Sequence, residues 1–293
     1  MKTSVIAITF LVLLSGCQFS KSVNKDFLSG LLTKGDGISC EDAFITVNDE
    51  KINRNDFVYG ETFVVNFSKI EGFNMENESV FPDMFLTVLN NAGDTMLYAD
   101  DLYSDYPDGI KLDPLLLTSE VTAAAPMASG NEYKLFVNII DKKGAGTFSA
   151  EYLFKVVPND KIVNESTNVE FDEIYLYSAE QERVIVDNKV KKDETTYFVF
   201  EGLTGFTEVG GMVFPGLSLK GTDKGGKQIF NFEDLFADYT ETGLTVEDFN
   251  KRVLSNFSLS GTELLNPLRC EILIWDKKGD AKIKSYTDLE VSQ

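Results

Sequence analysis

Slid along itself by 133 residues, this chain repeats its own pattern without a gap over about forty-five positions. Glu61-Thr62 meets Glu194-Thr195, Phe67 meets Phe200, and Gly72-Phe73 meets Gly205-Phe206. Val80-Phe81-Pro82 falls on Val213-Phe214-Pro215, Asp101-Leu102 on Asp234-Leu235, and Asp105-Tyr106 on Asp238-Tyr239. After a two-residue insertion, Asp141-Lys142-Lys143-Gly144 falls on Asp276-Lys277-Lys278-Gly279. Chance does not produce so many identities in register, so whatever fold this chain adopts must be built twice. The copies span 40–157 and 168–293, and the polar, turn-rich stretch 158–167 reads as the linker between them.

Each copy reads as strands. Residues 62–67 and 196–200 are β-branched and aromatic runs bounded by polar residues. Further strands are expected at 84–89, 133–140 and 147–157, and at 217–220, 268–275 and 281–291 in the second copy. Gly144 and Gly279 suit the positive-φ position of a hairpin turn. Many short strands punctuated by turns within one module point to an all-β chain of two tandem immunoglobulin-like β-sandwiches, although no Cys-Trp-Cys signature is present. A short helical insertion between the middle strands is expected in each copy. Phe232, Leu235, Phe236 and Tyr239 follow helical spacing behind Asn231 as cap, and Ala99, Leu102, Tyr103 and Tyr106 repeat it. A second helix is expected over 246–256, capped by Thr245 with Phe249 and Val253 inward, with a counterpart starting at Asp113-Pro114.

Ahead of the first copy, Lys2 precedes an apolar run over residues 5–14, too short to span a bilayer as a stable helix and suited to a signal peptide over 1–16. The run ends in Leu14-Ser15-Gly16-Cys17. This stretch resembles the lipobox of a bacterial lipoprotein precursor. The resemblance implies cleavage before Cys17 and lipidation of Cys17, which anchors the protein to a membrane. Residues 17–39 then read as the lipidated cysteine and a flexible tether. Gln18, Phe19, Ser20 and Lys21 lack both the acidic cluster of surface-exported lipoproteins in Bacteroidota-like systems and the aspartate that marks inner-membrane retention. By the same resemblance, the expected location is the outer membrane, facing the periplasm.

Charge and composition narrow the function classes. The formal net charge of −20, with no stretch that reverses it, disfavours nucleic acid and bare anionic lipid. No histidine is present, which removes the commonest general base, the Ser-His and Cys-His pairings and most zinc sites. Cys40 and Cys270 remain beside Cys17; a disulfide between them is chemically allowed after export, and a buried free thiol is the expectation for Cys270.

Local motifs add little chemistry. Gly221 to Lys227 spell the start of a phosphate-binding loop, but Gln228 stands where a magnesium-holding Ser or Thr belongs. Asp100, Asp101 and Asp105, with Glu233, Asp234 and Asp238, offer oxygens that suit calcium. Acidic residues in a first helical turn also answer the helix dipole unaided, so no metal and no cofactor are expected. Trp275 aligns with Ile140 and is expected in the core.

The resulting expectation is a membrane-anchored lipoprotein, not an enzyme, that serves as scaffold or adaptor for envelope proteins. Accessory lipoproteins of secretion or motility machines are similar in plan. The alternative is a glycan- or ligand-binding lipoprotein, similar to the tandem-sandwich lipoproteins of starch-utilisation systems.

Overall fold

The structure is a computed structural model that describes residues 21–25, 30–261 and 263–292. The first sandwich pairs a seven-stranded sheet with a four-stranded one. The larger runs Lys21–Lys25, Leu32–Asp36, Thr147–Val157, Glu132–Asp141, Pro82–Asn90 and Thr95–Ala99, with Asp56–Val58 added in parallel to Thr147–Val157. The smaller runs Glu50–Ile52, Ser39–Val47, Thr62–Glu71 and Leu116–Thr122. Alternation decides which face each strand buries. Phe63, Val65 and Phe67 turn inward from one sheet, and Leu135, Val137, Ile139, Tyr152 and Phe154 from the other, to form one core. Phe57 and Phe63 stack at 4.1 Å in its middle, with Phe154 edge-on to both.

The second sandwich uses the same plan. Val163–Thr167, Lys282–Ser292, Leu268–Asp276, Pro215–Asp223 and Gln228–Phe232 make one sheet, with Lys189–Lys191 parallel to Lys282–Ser292. Arg183–Val184, Glu173–Ser178, Thr196–Glu201 and Val253–Phe257 make the other. A separate core gathers Phe198, Phe200, Leu217, Leu219, Ile272, Ile274 and Ile283. The architecture is thus nearly all β, in two immunoglobulin-like sandwiches. Even the crossing between sheets recurs. A Cβ on Gly72 (φ +101°) would lie 2.1 Å from the Gly37 carbonyl, and one on Gly205 (φ +96°) 2.0 Å from that of Asn168. Only glycine fits such a left-handed close approach.

Several expectations are corrected. Residues 32–36, assigned to the tether, pair with residues 147–151 and are flanked by buried Leu31 and Ile38. Residues 163–167, assigned to the linker, pair with residues 282–286 and are flanked by buried Ile162 and Val169. Residues 32–36 lie between Lys21–Lys25 and Thr147–Val157, whereas residues 163–167 form an edge strand of their sheet. The expected helix over 99–106 is a series of turns: Thr95–Ala99 is committed to pairing with residues 86–89, and Asp101 adopts φ +35°. Gln228–Phe232 is likewise a strand, followed by a single 3-10 turn at Ala237–Tyr239. The Asp234 carboxylate accepts from Leu217 N (3.1 Å) and Phe236 N (2.9 Å), which fixes a turn where a helix start was expected. The Thr245-capped helix is present, as Val246–Lys251, and stops because Val253–Phe257 enters the sheet. No helix stands at Asp113-Pro114. Trp275 lies half-buried on the outer face, across from Gly216 where a Cβ would strike its ring.

Candidate binding surfaces

Each sandwich turns one corner on Asp-Lys-Lys-Gly, and the corner is built identically in both. The nearly buried Asp141 accepts from Asn74 N (2.7 Å) and Lys143 N (2.9 Å); Asp276 accepts from Thr207 N (2.7 Å) and Lys278 N (2.8 Å). Lys143 and Lys278 place their ammonium groups over the rings of Phe81 and Phe214, at 4.6 and 5.0 Å. Lys142 reaches Asp101 at 2.6 Å, and Lys277 reaches Asp234 at 2.8 Å. Two of the six carboxylates considered for calcium are therefore engaged by lysines. The Lys142 hydrogen bond holds the Asp101 carboxyl below its usual range. Burial opposes ionisation of Asp234, but Lys277 and two backbone N–H groups outweigh it and hold that carboxyl low as well. Asp100 accepts from the Tyr98 hydroxyl at 3.4 Å, while Asp105, Glu233 and Asp238 point to solvent. Among the described residues no group of three or more His, Cys, Asp or Glu side chains is placed to hold a metal ion.

The copies differ beneath that corner. Asp83 lies next to Asp101, and burial, then the Asp101 charge, pushes its carboxyl up; its repeat mate is Gly216, covered by Trp275.

A larger difference lies alongside. In the first sandwich a groove of about 450 Å³ opens between Ile70, Phe73, Met75, Val80, Leu112 and Leu115. Met75 is 70% exposed and Leu112 51%, an apolar rim facing water. Glu71 and Asp113 also line it, with Lys69, whose ammonium is held by Glu41 at 2.8 Å. In the second sandwich the corresponding floor is Leu203, Phe206 and Val213. There Phe249, from the helix Val246–Lys251, lies 4.6 Å from the Phe206 ring and is 1% exposed.

Chain length explains the difference. Val80 pairs with Ile110 and Phe67 with Leu117; Val213 pairs with Leu244 and Phe200 with Val253. The second copy has two more residues between these fixed points, enough to wind one helical turn and lay its phenylalanine into the seat. Each crossover is tied back to the preceding strand by one backbone bond, shifted by one donor residue between the copies: Ile70 N to Leu115 O (3.2 Å) in the first and Gly202 N to Asn250 O (2.9 Å) in the second. The helix that carries Phe249 inward was expected from sequence, but the groove of the first sandwich was not; the two-residue gap was the available signal.

The two sandwiches also meet. Glu173 accepts from Ser129 N (2.5 Å) and Ser129 Oγ (2.9 Å), and the Tyr59 and Tyr175 rings lie 5.2 Å apart. Tyr175 donates to Glu201 (3.0 Å), which also receives Arg252. Burial pushes the Glu173 carboxyl up, against the Ser129 hydrogen bonds. Gly60 (φ +88°) leaves room for Val184, whose Cβ would otherwise be 2.1 Å from a side chain there. This seam joins one end of the first sandwich to the groove-equivalent end of the second.

Other expected sites resolve into structure. Residues 221–227 form a hairpin turn in which Asp223 accepts from Lys227 N (2.9 Å) and Leu265 N (3.1 Å), with Lys227 Nζ on the Glu263 carbonyl (2.9 Å); no backbone cradle for phosphate is left. Cys40 and Cys270 are both free thiols, one in each sandwich. Burial pushes Cys40 up to about 11 and Cys270 further up, so neither offers a thiolate near neutral pH. Residues 1–16 and Cys17 lie outside the described residues. Among the described residues no helix is long and apolar enough to cross a membrane.

No protein-family model matches the chain, and no curated protein matches it. Among solved structures, dimeric latent PorU from Porphyromonas gingivalis is similar over 87% of this chain, at 11% identity and a TM-score of 0.29. A protein designated pT26-6p is similar over 94% of this chain and 66% of its own, at 10% identity and a TM-score of 0.25. The fibronectin(III)-like modules of Clostridium thermocellum CbhA are similar over 85% of this chain and 94% of theirs, at 10% identity and a TM-score of 0.21. This chain spans 20% of the length of the PorU chain that it resembles.

Proposed function

We propose that the chain is a lipid-anchored, non-enzymatic adaptor that holds envelope proteins at the outer membrane, on its periplasmic side. The observation that carries this reading is the open groove of the first sandwich. Its lining mixes aliphatic and aromatic side chains with Lys69, Glu71 and Asp113, and the apolar part presented to water by Met75 and Leu112 gains free energy by being covered. Contact of this kind binds a partner without transforming it. The seam supports the reading too, because a two-body unit joined by Glu173, Ser129, Tyr59 and Tyr175 keeps its outer faces at a defined spacing.

The test places a photoreactive residue at Leu112 in cells and compares wild type with Cys17→Ala. The expected result is one discrete cross-linked protein in the membrane fraction, lost when Cys17→Ala releases the chain from the membrane. Absence of any protein adduct, together with retardation of the purified chain in polysaccharide affinity gels, would replace this reading with the glycan-binding one.

A further inference from the structure

The second sandwich shows what fits the seat that the first leaves open. Ile70, Phe73 and Val80 correspond to Leu203, Phe206 and Val213. Against Phe206, and within the same core as Leu203 and Val213, the chain lays Phe249, carried on a six-residue helix that is capped by the Thr245 hydroxyl (3.1 Å to Asp248 N). The seat therefore has a known occupant, read from the same molecule. In the first sandwich the shortened crossover supplies no aromatic; Leu115 joins the buried core, and a groove remains alongside the half-buried Phe73.

Charge adds a second constraint. Glu71 and Asp113 at the rim outnumber Lys69, whose charge is already answered by Glu41, and the whole chain carries −20. That balance repels a second copy of this chain and attracts a cationic segment.

We infer that the groove of the first sandwich receives, from another protein, a short helical segment that inserts one phenylalanine and flanks it with lysine or arginine. The inserted ring takes the place that Phe249 takes in the second sandwich, edge-on to Phe73. Leu112 and Met75 close over it as the rim, and the flanking cations meet Glu71 and Asp113. This inference rests on the adaptor reading and specifies the partner's chemistry.

The probe is a fluorescent peptide of residues 243–252 carrying Glu247→Lys, which retains the Thr245 cap and Phe249 and turns the segment cationic. It is titrated with the purified full mature chain. One aromatic anchor with a few rim contacts sets the expected Kd on the order of 100 µM. Phe249→Ala in the peptide is expected to weaken binding at least tenfold. In the chain, Leu112→Glu and Met75→Glu, both at solvent-exposed positions, are each expected to do the same without changing the circular dichroism spectrum. Raising salt from low to high ionic strength is expected to weaken binding several-fold.

The inference is overturned if no binding appears at millimolar chain, or if the Phe249→Ala peptide binds equally well. It is equally overturned if deleting residues 17–20 raises peptide affinity several-fold, which would make Phe19 of the chain itself the occupant. Concentration-dependent dimerisation abolished by Leu112→Glu would overturn it in favour of a second copy. The assay contains no membrane and no partner, so its failure beside an intact envelope cross-link defeats the inference and leaves the adaptor reading standing.

Discussion

The two sandwiches share sheets, register and corner, yet one packs a helix-borne phenylalanine where the other carries a groove. In the second, two additional residues wind the crossover into a helix and Phe249 becomes core. In the first, Ile70, Val80 and Leu115 are themselves buried, and what faces water is the rim of Met75 and Leu112 around the groove. A seat that costs nothing to leave open would teach little. This one leaves apolar surface exposed, and a copy of the same module demonstrates how readily a short segment covers it. The difference localises what is special about the first sandwich to a few residues of crossover rather than to its framework.

The strongest way to break that comparison is to remove the plug. Phe249→Ala is expected to destabilise the second sandwich by about 3–5 kcal/mol, through lost burial and the cavity left behind. Calorimetry reads the loss, and faster amide exchange around Phe206 and Leu203 locates it. An effect below about 1 kcal/mol would mean that the seat is not part of the core at all.

Next comes the shared corner. Asp141→Ala and Asp276→Ala each leave two backbone N–H groups without their acceptor, expected to cost about 2–3 kcal/mol apiece. Chemical denaturation should return nearly equal losses for the two. A large inequality would show that the corners are alike in geometry but not in load.

The lysines sharpen the contrast further. Lys277 is 14% exposed and Lys142 38%, so Lys277→Ala should cost about 1–2 kcal/mol and Lys142→Ala about 0.5. Both partners, Asp234 and Asp101, have folded pKa values below their unfolded ones. Their contribution is therefore present above the unfolded carboxylate value near 3.9 and lost as pH falls through the folded values. Stability measured across acidic pH should fall more gently in each Lys→Ala variant than in wild type.

The smallest effect carries the opposite sign. Asp83 has its folded pKa raised, so its burden is absent below the unfolded pKa and grows as pH rises through the folded value. Asp83→Asn is expected to stabilise the first sandwich by less than about 1 kcal/mol at neutral pH, an advantage that disappears in acid. Nothing comparable is available at Gly216 in the second.

What could be read from the amino acids followed the strength of the local signal. Strands such as Thr62–Glu71 and Glu132–Asp141 bury alternate residues, and period-two hydrophobicity announces that directly. Thr245 announced its helix because a capping hydroxyl three residues before Asp248 is a local arrangement. Leu32–Asp36 and Val163–Thr167 went unread since both are short and held by backbone pairing, and their sequences lack alternation. Phe232, Leu235, Phe236 and Tyr239 mimic a helix face, but Asp234 spends its carboxylate on Leu217 N and Lys277, contacts distant in sequence. The groove stayed invisible for a different reason: it is a missing turn, detectable only once both copies are laid on one framework.

The hairpin of Lys21–Lys25 with Leu32–Asp36 sets how the molecule is leashed. Lys21 pairs opposite Asp36, next to the Gly37 carbonyl that crowds Gly72 at the groove. From an acylated Cys17 to Lys21 the backbone can reach no more than about 14 Å, roughly half the thickness of a hydrocarbon core. Under the proposed acylation of Cys17, that reach would hold the groove end of the first sandwich near the lipid headgroups. Under that proposal, a partner embedded in the same leaflet has the shorter path to the groove.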